Sequence, residues 1–533
     1  RGNGRSVFDA KGSEAEACVT VEAYPDLFND VFGPVMQPGS SSHTAGPCRL
    51  GFLANCLLGE EPSRVQVTLD KDGSFAGTFG IMSEDRAMLA GAMGMLPDDV
   101  RLFDAQTIAE EAGIEYSFDF STIQESRHPN AVKFVLVGSS GSVVSLVGDS
   151  TGGGMVRTVA VNGYPLQLRG DTYVFLVFDR RKSVSREEKD RLERGLEGLV
   201  EAQVVHAEEA GRLFVFRTAE PPDRELVETL VACPPVAVLA PVLPVITRPE
   251  RRPRLFDTMV QWREIAEQES LEWLEVAVEY EVRASGWTRE KVIDHMRMLE
   301  RKMYRQTHAA YEEEVVVPES PFKSDRTAAW ERYGEASVRL TGGMTANTVR
   351  WAYGAGAGIP GVETVAGPMG SGGGYVHAAL WAVKEAKGLS EHDLLRGLFI
   401  AGGIGALAFS RTEPTGECIG CTGECGICGA MAAGGIAEMA GASPDIVERA
   451  ASLSLQSSIG LPCDPIPGGF GQPCRSRIMA AVCTASVFAD LAFAGHEAVL
   501  PLHEAIDVAD DVGRRLAPDL LCTSRGGACA TPA

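Results

Sequence analysis

The stretch DLLRGLFIAGGIGALAF (393–409), with YVHAALWAVKEA (375–386) before it and MAAGGIAEMA (431–440) after it, decides the class of the C-terminal half. Small residues at helical spacing let helices approach closely, so these segments predict a compact all-helical domain. Polar and apolar residues alternate with a helical period from Asp257 to about Glu313, which extends that domain over 257–533. Nine of the chain's 13 cysteines lie in the same half, after residue 417. Without a secretion signal, such clustering points to metal binding or catalysis rather than to disulfides.

Upstream of a Pro- and Arg-rich linker (248–256), residues 164–247 read as alternating elements. DTYVFLVFD (171–179) is strand-like, SREEKDRLERGLEGL (185–199) an amphipathic helix, and AQVVHAEE (202–209) and GRLFVFRTAE (211–220) are strands. DRELVETLVAC (223–233) is helical and AVLAPVLPV (237–245) a last strand. This βαββαβ order predicts a ferredoxin-like unit, a pattern shared by small amino-acid-sensing ACT domains. Residues 1–163 mix alternating segments such as RVQVTLD (64–70), Gly-rich turns and the helical EDRAMLAGAMG (84–94), which predicts an α+β domain.

The 533 residues carry a net charge of -23 and a pI near 4.9. That balance argues against a nucleic-acid partner, because binding a phosphate backbone relies on clustered Lys and Arg. No run approaches the roughly 18 consecutive apolar residues of a spanning helix, and RGNGRSVFDAKGSEAEA at the start has no apolar signal centre, so a soluble cytoplasmic protein is expected. A homodimer is expected from the acidic, Ala-rich helical surfaces and the ferredoxin-like unit.

Several motifs in order resemble the iron-sulfur-dependent L-serine dehydratases. In the C-terminal half these are GCTGECG (420–426), GLPCDPIPGGFGQPC (460–474) and TSRGGA (523–528); in the N-terminal domain they are SSSHTAGP (40–47), GSFAGTFG (73–80) and LPDDVR (96–101). The resemblance covers most of the chain as β domain, ACT-like domain and α domain. It implies a [4Fe-4S] cluster on Cys421, Cys463 and Cys474, whose fourth iron lacks a protein sulfur and stays open to substrate. An open iron is a Lewis acid, suited to removing the β-hydroxyl of a small amino acid. A base must then reach Cα. His43 is the candidate, with Ser40, Ser41, Ser42 and Thr44 around it as groups able to bind a carboxylate. The resemblance also suggests Gly370, Ser371 and Arg477 as substrate-binding residues. Cys529 is similar to a C-terminal cysteine that in some family members folds back onto the open iron.

The sequence also departs from the family pattern. IMSED (81–85) stands where Gly-His-Gly-Thr-Asp is expected, leaving Asp85 and putting Met82 in place of histidine. Gln456-Ser457-Ser458, Ser476-Arg477-Ile478 and Pro368-Met369-Gly370-Ser371 replace other polar motifs. A pocket stripped of polar partners holds a polar substrate less well. Cys418, Cys421, Cys425 and Cys428 form an added C-x2-C-x3-C-x2-C; on a regular helix they would spread over about 15 Å, too far to share one metal. They suggest a second site, a sulfur relay, a redox pair or plain packing. The glycines of GAGAGIPG (354–361) and GSGGG (370–374) follow no strand, which argues against dinucleotide binding.

Three functions compete on this reading. One is a lyase acting on serine; another is the same scaffold acting on cysteine or another β-substituted amino acid. The third is a cluster-bearing amino-acid sensor without turnover.

Overall fold

The computed structural model describes residues 24–180, 184–207, 211–221, 236–248, 253–312, 326–466 and 473–531. In the N-terminal domain a six-stranded sheet runs in the order Glu115–Ser121, Pro62–Asp70, Ala131–Gly138, Val143–Gly152, Met155–Val161, Tyr164–Pro165. Only the first pair is parallel. The alternation of RVQVTLD sends Val65, Val67 and Leu69 inward, where they meet the helices Gly46–Leu58 and Glu84–Ala92. Those two helices touch through glycine. A Cβ on Gly91 would lie 2.0 Å from the carbonyl oxygen of Cys48.

The middle unit is a four-stranded antiparallel sheet in the order Val236–Leu239, Tyr173–Asp179, Gly211–Thr218, Leu199–Ala207, with the helix Arg186–Gly195 packed on it. In order of appearance along the chain the sheet reads 4-1-3-2. The helix begins with a capping box, Ser185 and Glu188 satisfying each other's backbone donors. Its last strand ends at Leu239, earlier than the expected 245, because Pro241 and Pro244 supply no ladder donors. The predicted helix 223–233 and residues 249–252 of the linker 248–256 lie outside the described residues.

The C-terminal half is helical as expected, and its core extends beyond the expected boundary. Tyr24, Leu27, Phe28, Val31 and Phe32 pack into the same core as Trp262, Tyr280 and Phe399, so the chain enters through the helical domain before building its first sheet. Val35–Met36 then pairs with Thr364–Val365 of the helical half. Phe256, Trp262 and Trp273 stack at centroid separations of 4.5 and 5.0 Å, closing this end of the bundle.

Two helices, Glu391–Arg411 and Cys474–Phe493, are long and apolar enough to cross a membrane. Of their apolar windows 78% and 33% are buried inside the bundle; in the first, Leu, Ile, Phe and Ala raise the hydropathy and the glycines let neighbouring helices approach it closely. Gly354, in the segment considered for a dinucleotide, lies within the helix Gly343–Ala355, and a Cβ there would lie 1.8 Å from the Thr307 carbonyl oxygen.

Replacing Gly91 by Ala is expected to destabilise the N-terminal domain by about 1–3 kcal/mol, because backbone must move on one of the two helices. A thermal melt of G91A indistinguishable from that of the parent would contradict this packing.

Candidate active site

SSSHTAGP forms a wide helical turn over Ser41–Ala45 that runs directly into the helix Gly46–Leu58. The turn is capped by the Ser40 hydroxyl, which accepts the His43 backbone N–H at 3.2 Å. It presses His43 into the seam between domains, where the side chain is fully buried. Across the seam, Thr415 caps the short helix Gly416–Ile419, which carries Glu417. Glu417 Oε1 lies 3.2 Å from His43 Nδ1 and accepts the Ser42 hydroxyl at 2.9 Å.

The hydrogen-bond pattern fixes the protonation of His43. The Ser42 proton is committed to Glu417, so Ser42 Oγ, 3.0 Å from Nδ1, accepts from it. The Ser74 hydroxyl donates to the carbonyl oxygen of Cys522, so at 2.9 Å from Nε2 it also accepts. Both ring nitrogens are therefore donors, and His43 is an imidazolium. Burial opposes that charge, but the Cys522 sulfur, 3.9 Å from Nε2, and the carboxylates of Glu417 and Glu84 override it and push His43 up to about 10. Burial likewise opposes the Glu417 charge, yet His43 and Ser42 hold its carboxyl below the usual range. Burial and the neighbouring Glu417 charge raise Glu424 well above its usual range.

A chain of sulfurs continues from this group. Cys463 contacts both Cys522 and Cys474, Cys474 contacts Cys421, and Cys421 Sγ lies 3.3 Å from Cys425 Sγ. Donation from Cys421 and Cys463 draws the Cys474 thiol well below its ordinary value. Hydrogen bonding to Cys463 and the nearby His43 charge lower Cys522 against its burial. Backbone pairing holds these sulfurs together: Cys463 N–H donates to Leu520 O at 2.8 Å, Cys522 N–H to Cys463 O at 2.7 Å, and Cys421 N–H to Leu461 O at 2.9 Å.

The C-x2-C-x3-C-x2-C segment is not a regular helix. Gly420, at φ 71°, breaks it, and a wide turn over Thr422–Gly426 follows before the helix Ile427–Met439. The break brings Cys421 and Cys425 side by side and separates the others. Cys418 turns toward Glu413, 3.5 Å away, and groups with His128. Cys428 packs under Gly372, where a Cβ would lie 2.9 Å from its sulfur.

Ser40, Ser42, His43, Gly370 and Ser371 border one cavity with Cys463, Cys474, Glu417, Glu424 and Cys522. Thr44 instead donates to Met82 O at 2.8 Å, and Ser41 Oγ is buried without a partner among the described residues. Arg477, expected to bind substrate, does not border the cavity. Its Nη1 donates to Pro462 O and Asp464 Oδ1, both at 2.6 Å, clamping the Cys463 segment onto the helix Cys474–Phe493. Cys529, expected near the open iron, donates to Gly526 O on an outer turn, and Cys522 occupies the cavity wall instead. Sequence reasoning passed over Glu417 and Cys522. The motif TSRGGA, taken from residue 523, began one position too late to include the latter.

The serine dehydratase alpha chain profile matches residues 268–528. Among curated proteins, the L-serine dehydratase beta chain of Peptoniphilus asaccharolyticus is 36% identical over 148 residues, which is 28% of this chain and 66% of that one. The probable beta chain of Bacillus subtilis is 37% identical over 159 residues, 30% of this chain and 70% of that one. The probable alpha chain of Bacillus subtilis is 34% identical over 165 residues, 31% of this chain and 55% of that one. The chain thus spans between about half and somewhat over two thirds of these relatives' lengths. With an alpha-chain match in one half and beta-chain relatives alongside, the chain belongs to the iron-sulfur L-serine dehydratase family.

Proposed function

We propose that the protein is a [4Fe-4S]-dependent lyase that eliminates the β-substituent of a small amino acid, serine by default, giving an aminoacrylate and then a 2-oxo acid and ammonia. The observation that carries this reading is the convergence of three sulfurs beside the cavity that His43 borders from the other domain, Cys463 and Cys474 in its wall and Cys421 in contact with Cys474. The three sulfurs suit the cluster: Cys421 and Cys463 are held by backbone hydrogen bonds, Cys474 opens the helix Cys474–Phe493, and together they form a contiguous soft donor set. When bound, the cluster would supply a Lewis acid beside the departing substituent.

The chain's own residues handle the protons. His43 begins as an imidazolium facing the Cys522 sulfur, and moving the Nε2 proton to that sulfur frees Nε2 to accept the Cα proton of substrate. As the Cα–H electron pair becomes the C=C bond and the Cβ–O bond breaks, Cys522 gives its proton to the departing hydroxyl, which leaves as water. The pair is then imidazolium and thiolate again, so no net proton is gained or lost. Glu417 keeps Nδ1 oriented and offsets the ring charge throughout, the role of the carboxylate in a His–carboxylate pair. Ser40, Gly370 and Ser371 form the side of the cavity suited to a substrate carboxylate, while Ser42 spends its proton on Glu417.

A second reading is favoured by the sulfur around the cavity. Met82 and Met369 border it where the family pattern leads one to expect histidine and threonine, and Cys522 adds a further sulfur to the wall. Such a wall suits a substrate whose β-substituent is a thiol or thioether, with sulfide or thiol rather than water released. We also propose an ACT-like role for the middle sheet.

Anaerobic purification is expected to yield about four irons and four sulfides per chain, and C463A to lose them. Absence of iron in carefully handled parent protein would sink the cluster. In parallel assays of serine and cysteine for keto acid, ammonia and sulfide, the substrate with the higher kcat/KM decides between the two readings. C522A, with iron retained, should lower kcat by about 10²–10⁴. An unchanged kcat would remove Cys522 from the proton path.

A further inference from the structure

His128, Glu413 and Cys418 bring three different donor atoms together at the seam, apart from the sulfur-lined site. His128 comes from the loop before the strand Ala131–Gly138, whereas Glu413 and Cys418 flank the Thr415 cap in the helical half. One imidazole nitrogen, one carboxylate oxygen and the thiol sulfur all lie within 4.8 Å of one another. Donor atoms on a tetrahedral zinc ion lie roughly 3.3–3.8 Å apart, given bonds of about 2.0–2.3 Å. A contraction of about 1 Å therefore closes the triad on an ion.

The donors sit on fixed backbone. The Ser126 hydroxyl accepts His128 N–H at 3.1 Å while donating to Asp149 at 2.6 Å, and Asn130 N–H donates to His128 Nδ1 at 3.1 Å. On the other side Glu413 O accepts Thr415 N–H at 2.8 Å, and Thr415 Oγ1 accepts Cys418 N–H at 3.2 Å. Side chains anchored in this way lose little freedom on binding. Their polar ends are less well served. His128 Nε2 is buried with no hydrogen-bond partner among the described residues, and a buried nitrogen in that state calls for an explanation. The Glu413 carboxylate accepts one hydrogen bond among the described residues, from the Cys418 thiol at 3.5 Å. Arg514, whose charge reaches Cys418 and Glu413, is committed to Asp510 at 2.8 Å.

The donor set narrows the choice of ion. A thiolate does not suit magnesium or calcium, whereas imidazole, carboxylate and thiolate together suit zinc. One thiolate and one carboxylate also cancel the charge of a divalent ion, which favours a partly buried site. The protons balance. Cys418 gives its thiol proton to solvent, and the imidazole proton moves from Nε2 to Nδ1, so the hydrogen bond from Asn130 is exchanged for the metal bond. Access comes from an interdomain cavity of about 720 Å³, bordered by Thr412, Glu413 and Pro414 of the helical half, Gly152 of the first sheet and Arg217 of the middle sheet. It leaves room for water as a fourth ligand.

We propose that His128, Glu413 and Cys418 bind one zinc ion, completed by water, which clamps the loop 126–130 of the N-terminal domain to the segment 412–418. Both ends of the clamp adjoin Glu417: the Asn130 side chain, two residues after His128, hydrogen-bonds its carboxylate, and Cys418 follows it in the chain. Of the C-x2-C-x3-C-x2-C run only Cys418 takes part, and the site does not depend on the lyase reading given above.

The test incubates iron-loaded, anaerobically purified full-length protein with zinc sulfate, passes it through gel filtration and measures both metals. The parent should retain about one zinc per chain, with zinc X-ray absorption showing about one sulfur neighbour. C418S and H128Q should retain less than about one fifth as much at unchanged iron content. E413Q keeps the shape of its side chain, so it carries the test if C418S melts early, and it should weaken zinc binding about tenfold or more. Zinc that washes off the parent, or that stays on both C418S and H128Q, overturns the site. A shell of several sulfurs overturns it too, because the ion then sits on the other cysteines. For the clamp, zinc should slow hydrogen exchange in 126–130 and 412–418 by about tenfold or more in the parent and leave C418S unaffected. A loaded site with exchange unchanged in both segments overturns the clamp.

Discussion

The buried positive charge on His43 organises the seam between the domains. The His43 ring receives support from four separate stretches: Ser42 beside it, Ser74 from its own domain, Glu417 from the helical half and Cys522 near the chain's end. Taking an imidazolium out of water costs several kcal/mol unless every donor finds an acceptor, and breaking one partner of such a buried pair costs more than the pair contributes. The two domains therefore cannot separate or slide along the seam without exposing or orphaning that charge. The cost of keeping it is what makes the seam specific.

The sulfurs depend on this seam for their position. Cys522 is carried by the backbone pairing of 520–522 with Cys463, and the same carbonyl that accepts from Ser74 lies on Cys522. Arg477 and Asp464 then fix the Cys463 loop, with Asp464 Oδ2 also accepting Ala528 N–H at 2.7 Å from the tail. Glycine is required where these loops crowd. A Cβ on Gly416 would lie 2.5 Å from Cys463 Sγ, so the Glu417 helix could not approach the sulfur wall with any other residue there. The Gly-rich sequence is thus explained by close approach of loops to sulfur, with no phosphate cradle involved.

Much of the architecture was legible because it is written in local patterns. The period of RVQVTLD, the capping-box spacing of Ser185 and Glu188, and the Ala/Gly spacing of 393–409 each act within one element. What escaped were interactions between distant elements. Glu417 and His43 are 374 positions apart, and no periodicity predicts that contact. Residues 24–32 were grouped with the first sheet by proximity in sequence, although their apolar side chains complete the helical core. The cysteine run could be read only conditionally: a regular helix would spread its four thiols, and Gly420 instead breaks the segment and sets Cys421 beside Cys425. Arg477 sits beside the expected ligands, yet its Nη1 hydrogen bonds go to the loop that carries Cys463, and it also contacts Cys421 rather than the cavity.

The short segment 412–417 concentrates the consequences of this design. At one end Thr412 donates to Asp510 at 2.6 Å and borders the interdomain cavity; at the other, Glu417 sets the charge on His43. The intervening Thr415 is held between Gly152 and its own helix, which leaves the segment little room to deform gradually. Close-packed interiors respond to a displaced neighbour by shifting between discrete arrangements. A displacement of Thr412 therefore has two outcomes, absorption at the Asp510 hydrogen bond or transmission to the carboxylate beside the imidazolium. The rigidity of the Thr415 cap favours transmission, and the seam that stabilises the site also makes it responsive to its surroundings.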